Sequence, residues 1–217
     1  MTEYKDLEDR VGNYQRALID RGIISYSGDF LGPKGENLIS AALNKLRDKG
    51  QISILDAGCG TGRALFELKD QLLLRTQQRE KPEIIKAVGV SDEDFSKESE
   101  MMAVRSAVSK GFIKYIVGKL ETVKFPPNSL DLIVSYETLI HNNNNNVVKI
   151  LNNMLKTLAP EGIFYFDLLE EQRFSPQISE MLKKVRQGEY EVYEYKPEEK
   201  PPWAEEERIF ITLKKSS

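Results

Sequence analysis

Cysteine and long apolar runs are scarce in this sequence of 217 residues. Cys59 is the single cysteine, so no disulfide can form within the chain, and a reducing cytoplasm is the predicted compartment. No apolar run is long enough to span a bilayer, and residues 1–6 lack the pattern of a signal peptide. The sequence therefore predicts a cytoplasmic protein that has no membrane partner.

An excess of either sign of charge is also missing. The chain has 31 Lys and Arg residues against 34 Asp and Glu residues, which gives a net charge of -3. Non-specific nucleic-acid binding depends on a basic surface, and this balance does not indicate one. The length and the hydrophobic content of 40% are typical of one large globular domain.

The most informative stretch joins a short apolar run to three alternating glycines. The run Ile52–Leu55 is typical of a strand. Glycines in the turn that follows allow sharp main-chain bends and let a ligand come close to the backbone. The helix predicted after them has a partial positive charge and unpaired N–H groups at its N-terminus. These parts predict a nucleotide-binding βα unit, and the residues of its turn are Asp56, Gly58, Gly60 and Gly62.

The spacing of the turn resembles motif I of the class I S-adenosylmethionine-dependent methyltransferases. A dinucleotide-binding turn has the form Gly-x-Gly-x-x-Gly, and Arg63 stands where its third glycine would be. The stretch Leu55–Gly62 instead reads Leu-Asp-Ala-Gly-Cys-Gly-Thr-Gly, the order of that motif. The resemblance implies S-adenosylmethionine as cofactor and S-adenosylhomocysteine as product. It assigns cofactor contacts in the turn to Asp56, Gly58, Cys59, Gly60 and Gly62.

Two residues of this turn allow more than one interpretation. Asp56 is expected either to orient the turn as a cap or to accept a hydrogen bond from the ammonium group of the ligand. Cys59 is interpreted as a small residue packed within the turn, and the alternative is a nucleophile.

Strand and helix patterns alternate along the rest of the chain, which predicts a mostly parallel sheet with right-handed crossovers. The link at 196–203 is too short for a helical crossover, so the last two strands are expected to pair antiparallel. The predicted fold is α/β, a three-layer Rossmann-like sandwich with a seven-stranded, mostly parallel sheet and an antiparallel C-terminal hairpin. The predicted strands are 52–55, 84–90, 113–117, 130–135, 162–168, 190–195 and 208–213, and the main predicted helices are 34–49, 63–77, 94–110, 145–158 and 176–187.

Residues 1–36 are predicted to form a helical lid or cap in front of a methyltransferase domain at 37–217. A site that transfers a methyl group should exclude water, and a mobile segment is the usual means. Tyr14 and Tyr26 are candidates to close over the cofactor, because aromatic faces attract cations such as a sulfonium. Core packing is the alternative for both tyrosines.

At two landmarks the sequence departs from the pattern of the family it resembles. The family has an acidic residue at the end of the second strand, where it binds the ribose hydroxyls. Here Ser91 stands in that place and Asp92 follows one residue later, so the ribose contact is assigned to either residue. The family's acidic contact to the adenine amino group is replaced by Lys119, which cannot accept a hydrogen bond. The predicted adenine-side residues are Lys119, Leu120, which offers a main-chain N–H, and Glu121.

The segment after the fourth strand supplies the candidate catalytic residues. Tyr136 and Glu137 are predicted to point toward the methyl group. Leu139–His141 resembles the Leu-x-His element of small-molecule methyltransferases. His141 is interpreted either as a general base for a hydroxyl substrate or as a residue that packs against the cofactor or caps a helix. The asparagines at 142–146 are predicted to form a loop at the ligand edge and to cap the next helix.

The predicted function is S-adenosylmethionine-dependent methyl transfer to an oxygen or nitrogen of a small molecule, by a monomer or homodimer without a metal. The stretch 125–135 resembles that of small-molecule methyltransferases, and the Asp/Asn-Pro-Pro-Tyr/Phe motif of base-modifying enzymes is missing after it. One alternative is a catalytically degenerate methyltransferase-like protein that binds cofactor or a partner, which Ser91 and Lys119 favour. Another is an RNA or protein methyltransferase, which a basic stripe using Lys114, Lys119 and Lys124 would favour.

Overall fold

The computed structural model describes residues 37–94, 102–195 and 207–216. The predicted lid at 1–36, with Tyr14 and Tyr26, lies outside these described residues. The strands are β1 (Ile52–Ala57), β2 (Ile85–Ser91), β3 (Lys114–Val117), β4 (Leu130–Ser135), β5 (Leu158–Leu169), β6 (Tyr190–Tyr195) and β7 (Arg208–Lys215). The α-helices are α1 (Leu38–Lys49), α2 (Arg63–Arg75), α3 (Met102–Ser109), α4 (Asn144–Thr157), α5 (Glu170–Arg173) and α6 (Pro176–Gln187), and short 3₁₀ helices lie at Pro82–Ile84 and Leu139–His141.

The seven strands form one sheet in the order β3-β2-β1-β4-β5-β7-β6. The first five of these are parallel, whereas β7 is antiparallel to both β5 and β6. This confirms the predicted fold class, including the antiparallel hairpin at the C-terminus. The antiparallel pairing places Arg208, the first residue of β7, beside Leu169, the last residue of β5. Arg208 therefore lies at the edge where the parallel strands end.

Helices cover both faces of the sheet, which gives the three predicted layers. Apolar residues of α1, α2 and α3 pack on one face, and those of α4 and α6 pack on the other. Successive residues of β5 alternate between the two cores: Tyr165 belongs to the first, and its neighbours Phe164 and Phe166 belong to the second. Among the described residues, no helix is both long and apolar enough to cross a membrane.

Local capping explains where two of the helices begin. Asn37 caps α1, and its side chain accepts a hydrogen bond from the Ser40 N–H at 2.9 Å. Asn143 caps α4, and its side chain accepts from the Asn146 N–H at 3.0 Å. The predicted asparagine cap is therefore present, but the loop is shorter than predicted because α4 begins at Asn144.

The fifth strand begins earlier than its apolar run suggests. Leu158 already pairs with Leu130 of β4, and the register then shifts before Leu132 pairs with Ile163. Gly162 lies within this irregular stretch, where a side chain would bring its Cβ to 2.6 Å from the Ala159 carbonyl oxygen. The prediction of a strand starting at residue 162 missed this pairing, because local apolar content does not indicate a shift of register.

Candidate functional site

The glycine turn follows β1 at the edge where the parallel strands end. Gly58, Gly60 and Gly62 all have positive φ angles, of 93°, 50° and 83°. A Cβ on Gly58 would lie 1.9 Å from the Thr138 Oγ1 atom, so this position accepts only glycine. The N–H of Gly58 donates to the Val90 carbonyl oxygen at 2.8 Å, which holds the turn against β2.

Two main-chain donors of the turn are unused within the described structure. No described residue accepts a hydrogen bond from the N–H of Gly60 or Thr61. Both precede α2, whose N-terminus adds a partial positive charge. These donors suit the carboxylate of an amino acid, such as the one that S-adenosylmethionine has.

Asp56 contributes a carboxyl group to the same region, just before the glycine turn. It is the second-to-last residue of β1 and is only 9% exposed. Burial raises the pKa of its carboxyl to about 7. Among the described residues, none forms a hydrogen bond or ion pair with this carboxyl. Asp56 therefore suits a ligand group that brings a positive charge, and the ammonium group of S-adenosylmethionine is such a group.

Cys59 is packed within the turn. It is 7% exposed, and burial raises the pKa of its thiol well above the ordinary value. A Cβ on Gly89 of β2 would lie 2.6 Å from the Cys59 sulfur, so the thiol occupies the space that this glycine leaves. A buried thiol with a raised pKa is a poor nucleophile, which favours the packing interpretation.

The candidate ribose and adenine residues lie at the ends of β2 and β3. Ser91 is the last residue of β2 and is 4% exposed, whereas Asp92 is exposed. Lys119 is also exposed, and Glu121 is half-buried. Leu120 is packed in the core on the α4 side, and its carbonyl oxygen accepts from Asn153 at 2.8 Å. The assignment of these residues to ribose and adenine remains a prediction.

A partly buried charge cluster, formed by Glu137, Asp167 and Arg208, lies beyond the end of β4. Arg208 Nη1 lies 3.0 Å from Asp167 Oδ2 and 3.1 Å from Glu137 Oε1. The Glu137 N–H donates to Asp167 Oδ1 at 2.8 Å. Glu137 has a φ angle of 54°, an uncommon conformation for a glutamate, and the hydrogen bond to Asp167 holds it there.

Two members of this cluster were not identified from the sequence. Asp167 interrupts an apolar run that is typical of a core strand, and Arg208 begins a strand far along the chain. Burial raises the pKa of Asp167 to about 6, while Arg208 and the Glu137 N–H oppose that rise. Only the antiparallel pairing of β5 and β7 brings the arginine beside the aspartate.

The other two candidate catalytic residues are not part of the charge cluster. The ring of Tyr136 stacks on that of Phe210, with centroids 6.3 Å apart and planes inclined by 19°. His141 ends the 3₁₀ helix at Leu139–His141 and is exposed. The catalytic roles of Tyr136, Glu137 and His141 remain predictions.

A shallow acidic cleft of about 460 Å³, largely open to solvent, lies next to the charge cluster. It begins where β5 ends, and α5 and the residue before β7 complete its wall. Phe174, which is 63% exposed, supplies an apolar surface in it. Its described lining contains three carboxylates and neither lysine nor arginine: Leu169, Glu170, Glu171, Phe174 and Glu207.

We expect the substitution Gly60→Ala to weaken S-adenosylhomocysteine binding by about tenfold or more, roughly 1.4 kcal/mol. A methyl group at this position would stand where the turn allows close approach of a ligand. Gly111→Ala is the matched control, because Gly111 has a φ angle of 70° and open space around its Cβ position. Both variants should lose about 1–2 kcal/mol of stability from the positive φ angle. Titration calorimetry measures the affinity, and equal affinities in the two variants would contradict the assignment of the turn to the cofactor.

Comparison with known sequences places the chain within one sequence family. A family described as a methyltransferase domain matches residues 48–208, which is most of the chain. No curated protein matches the chain. The match covers the glycine turn, the charge cluster and the first six strands, and it ends at Arg208, the first residue of β7.

Solved structures show the same fold at low sequence identity. A Listeria monocytogenes protein assigned to the class I S-adenosylmethionine-dependent methyltransferases is 17% identical, with a TM-score of 0.60 over 82% of this chain. The chain spans only 58% of that protein's length. A TehB-like S-adenosylmethionine-dependent methyltransferase from Corynebacterium glutamicum is 18% identical, with a TM-score of 0.56, over 96% of this chain and 99% of its own.

A third structure contains the cofactor. Magnesium protoporphyrin IX methyltransferase from Synechocystis, solved with bound S-adenosylmethionine, is 10% identical, with a TM-score of 0.54 over 82% of this chain and 78% of its own. The family match and these folds confirm the resemblance to the class I S-adenosylmethionine-dependent methyltransferases.

Proposed function

This chain belongs to the methyltransferase-domain family and its cofactor is S-adenosylmethionine; we propose that it methylates an oxygen or nitrogen atom of a small molecule that is neutral or positively charged. The observation that carries the proposal is the acidic cleft at the same edge of the sheet as the glycine turn. The turn suits the cofactor's amino-acid tail, and the cleft suits an acceptor.

The order of the strands sets the cleft and the turn on either side of the charge cluster. β4 lies between β1, which leads into the turn, and β5, which leads into the cleft. Glu137 follows β4, and its side chain is 20% exposed. It therefore stands between the part of the site that fits the cofactor and the part that fits an acceptor.

The charge of the cleft argues against a polyanionic substrate. The two arginines next to it in the sequence are bound to other carboxylates. Arg173 forms two hydrogen bonds with Glu194, at 2.6 and 2.7 Å, and Arg208 joins Glu137 to Asp167. Glu171 is exposed in this lining, and an exposed carboxylate repels phosphate groups and attracts cations. This supports a neutral or cationic acceptor over RNA.

The chemistry requires an acceptor lone pair aligned with an electrophilic methyl group, which S-adenosylmethionine supplies. A bond from the acceptor to carbon forms as the carbon–sulfur bond breaks, and a protonated acceptor also loses a proton. Glu137 and His141 are the candidates to take that proton. Alignment supplies much of the rate in such a transfer, so the rigidity of the charge cluster supports the proposal.

A second candidate function is cofactor binding without turnover. The absence of an acidic residue at the end of β2, where Ser91 stands, favours it, as does the exposed Lys119. In this case the fold would bind S-adenosylmethionine for a regulatory or structural purpose.

The test is formation of S-adenosylhomocysteine from radiolabelled cofactor in the presence of amines, alcohols, carboxylic acids or transfer RNA. We expect turnover with members of the first two groups. Glu171→Gln should then raise KM about tenfold for a cationic acceptor, because it removes one carboxylate from the cleft. Glu189→Gln is the control, since Glu189 is exposed and precedes β6 at the opposite edge of the sheet.

Two outcomes would contradict the proposal. Turnover confined to RNA would exclude a small-molecule acceptor. Tight binding of S-adenosylhomocysteine with no turnover on any acceptor would favour the second candidate.

A further inference from the structure

The hydroxyl of Tyr115 contacts two segments of the candidate cofactor site that are far apart in the sequence. Tyr115 lies in β3 and pairs with Gly89 of β2. Its hydroxyl oxygen lies 2.6 Å from the Gly60 carbonyl oxygen, in the glycine turn. It also lies 3.1 Å from the carbonyl oxygen of Glu93, in the segment after β2 that contains Asp92. One side chain therefore contacts both the turn and the candidate ribose segment.

The Tyr115 ring lies near the end of the glycine turn. A Cβ on Gly62 would lie 3.9 Å from the ring, at ordinary van der Waals distance. Gly89, which pairs with Tyr115, leaves space that the Cys59 thiol of the turn occupies. The turn and the middle of β3 are therefore close enough for the hydroxyl contact.

The hydrogen bond to Gly60 fixes the direction of a whole peptide group. The described chain contains no cis peptide bond, so the C=O of Gly60 and the N–H of Thr61 point in opposite directions. With the carbonyl oxygen held at Tyr115, the Thr61 N–H is directed away from β3. This is one of the two donors of the turn that have no acceptor among the described residues.

We propose that Tyr115 is a positioning residue for S-adenosylmethionine: its hydroxyl fixes the Gly60–Thr61 peptide and couples the turn to the candidate ribose segment at 92–93. The inference rests on the binding of the cofactor at this turn. The proposal adds Tyr115, which lies within β3, to a candidate site whose other residues were predicted at the ends of strands. Tyr115 itself contacts main-chain atoms, and its effect on the ligand passes through them.

The test is calorimetric titration of S-adenosylhomocysteine into the wild type, Tyr115→Phe and Tyr190→Phe. Tyr190 is the matched control, because its hydroxyl also donates to a main-chain carbonyl, that of Leu155, at 3.1 Å. The two variants lose the same chemical group, and we expect both to lose about 1 kcal/mol of stability. Only Tyr115→Phe should lower the affinity, by about tenfold.

Equal affinities in the two variants would overturn the role of Tyr115 and leave the cofactor assignment intact. Failure of the wild type to bind would overturn both. Hydrogen exchange of the wild type decides the question if Tyr115→Phe does not fold. Adenosine, which lacks the amino-acid tail, should slow amide exchange at 58–62 as well as at 92–94, because Tyr115 joins the two segments. Protection confined to 92–94 would overturn the coupling.

Discussion

Replacement of Arg208 by methionine is expected to destabilise the protein by about 3–5 kcal/mol at about pH 8. Asp167 is fully buried, and Arg208 is the cation of its ion pair, at 3.0 Å. Methionine keeps much of the side-chain volume and removes the charge. The variant would therefore retain a buried carboxylate whose partner is lost, which costs more than the pair itself contributes. Urea unfolding followed by circular dichroism measures the change.

The loss should shrink when the pH is lowered. Burial raises the pKa of Asp167 to about 6 in the folded protein, above the value of about 3.9 in an unfolded chain. A group whose folded pKa is raised contributes stability that is fully present below its unfolded pKa and is lost as pH rises through the folded value. Arg208 lowers the pKa of Asp167, so its removal raises that pKa further. The variant should accordingly recover stability between about pH 8 and pH 5 relative to the wild type.

Two further variants make this prediction specific. Arg186→Met removes an arginine that pairs with Glu194 but is 49% exposed, and it should cost less than about 1 kcal/mol. The double variant Arg208→Met, Asp167→Asn removes both charges and should regain part of the lost stability. A loss equal to that of Arg186→Met, or one that does not change with pH, would show that Arg208 does not compensate a buried charge.

Replacement of Asp56 by asparagine should weaken S-adenosylhomocysteine binding roughly 100-fold, or about 2.7 kcal/mol, the scale of a hydrogen bond between charged groups. The carboxyl is buried without a partner among the described residues, so its ionised form is stabilised only when a cationic group binds. The same substitution should raise the free energy of unfolding at about pH 8, because it removes a buried charge. Calorimetry and urea unfolding measure the two effects.

The pH dependence of binding follows from the same residue. Burial raises the pKa of Asp56 to about 7, so the carboxyl is largely protonated at about pH 6 and must lose its proton to pair with an ammonium group. The wild-type affinity should rise between about pH 6 and pH 8 and then level off, whereas Asp56→Asn should show no such rise. Release of a proton on binding is visible in calorimetry as a dependence on the buffer.

Asp131→Asn is the control for this prediction. Asp131 is as buried as Asp56, but it lies at the start of β4, at the opposite edge of the sheet, where it accepts from Lys49 at 2.5 Å and from the Ser53 N–H at 2.9 Å. Its replacement should lower stability and leave the affinity unchanged. An unchanged affinity in Asp56→Asn as well would mean that the ammonium group is bound elsewhere.

The fold was predictable because its signals are local. Most strands correspond to an apolar run in the sequence, β6 corresponds to an alternating run rich in tyrosine, and most boundaries lie within one or two residues of those predicted. The antiparallel hairpin followed from the length of a single link. The start of β5 was not predictable, since the shift of register after Leu130 depends on pairing with β4. The short helix α5 has no apolar periodicity and was missed for that reason.

The same distinction between local and long-range signals applies to the candidate site. The glycine turn lies within one contiguous stretch, so its glycines and Asp56 could be assigned to the cofactor from their spacing and the resemblance, and that role stays a prediction. Glu137 was identified from its place after a strand, but Asp167 and Arg208, which bind it, were not. An aspartate in an apolar run and an arginine at the start of a late strand have no pattern that joins them.

The sequence by itself determined the family, the order of strands and helices along the chain, and the position of the glycine turn, because short-range spacing and chain length govern each of these. Tertiary structure alone decided which side chains meet at the edge of the sheet. Pairing of β5 with β7 brings Arg208 to Asp167, and pairing of β2 with β3 brings the Tyr115 hydroxyl to Gly60. These contacts join residues that are far apart along the chain, and their geometry depends on the register of the whole sheet.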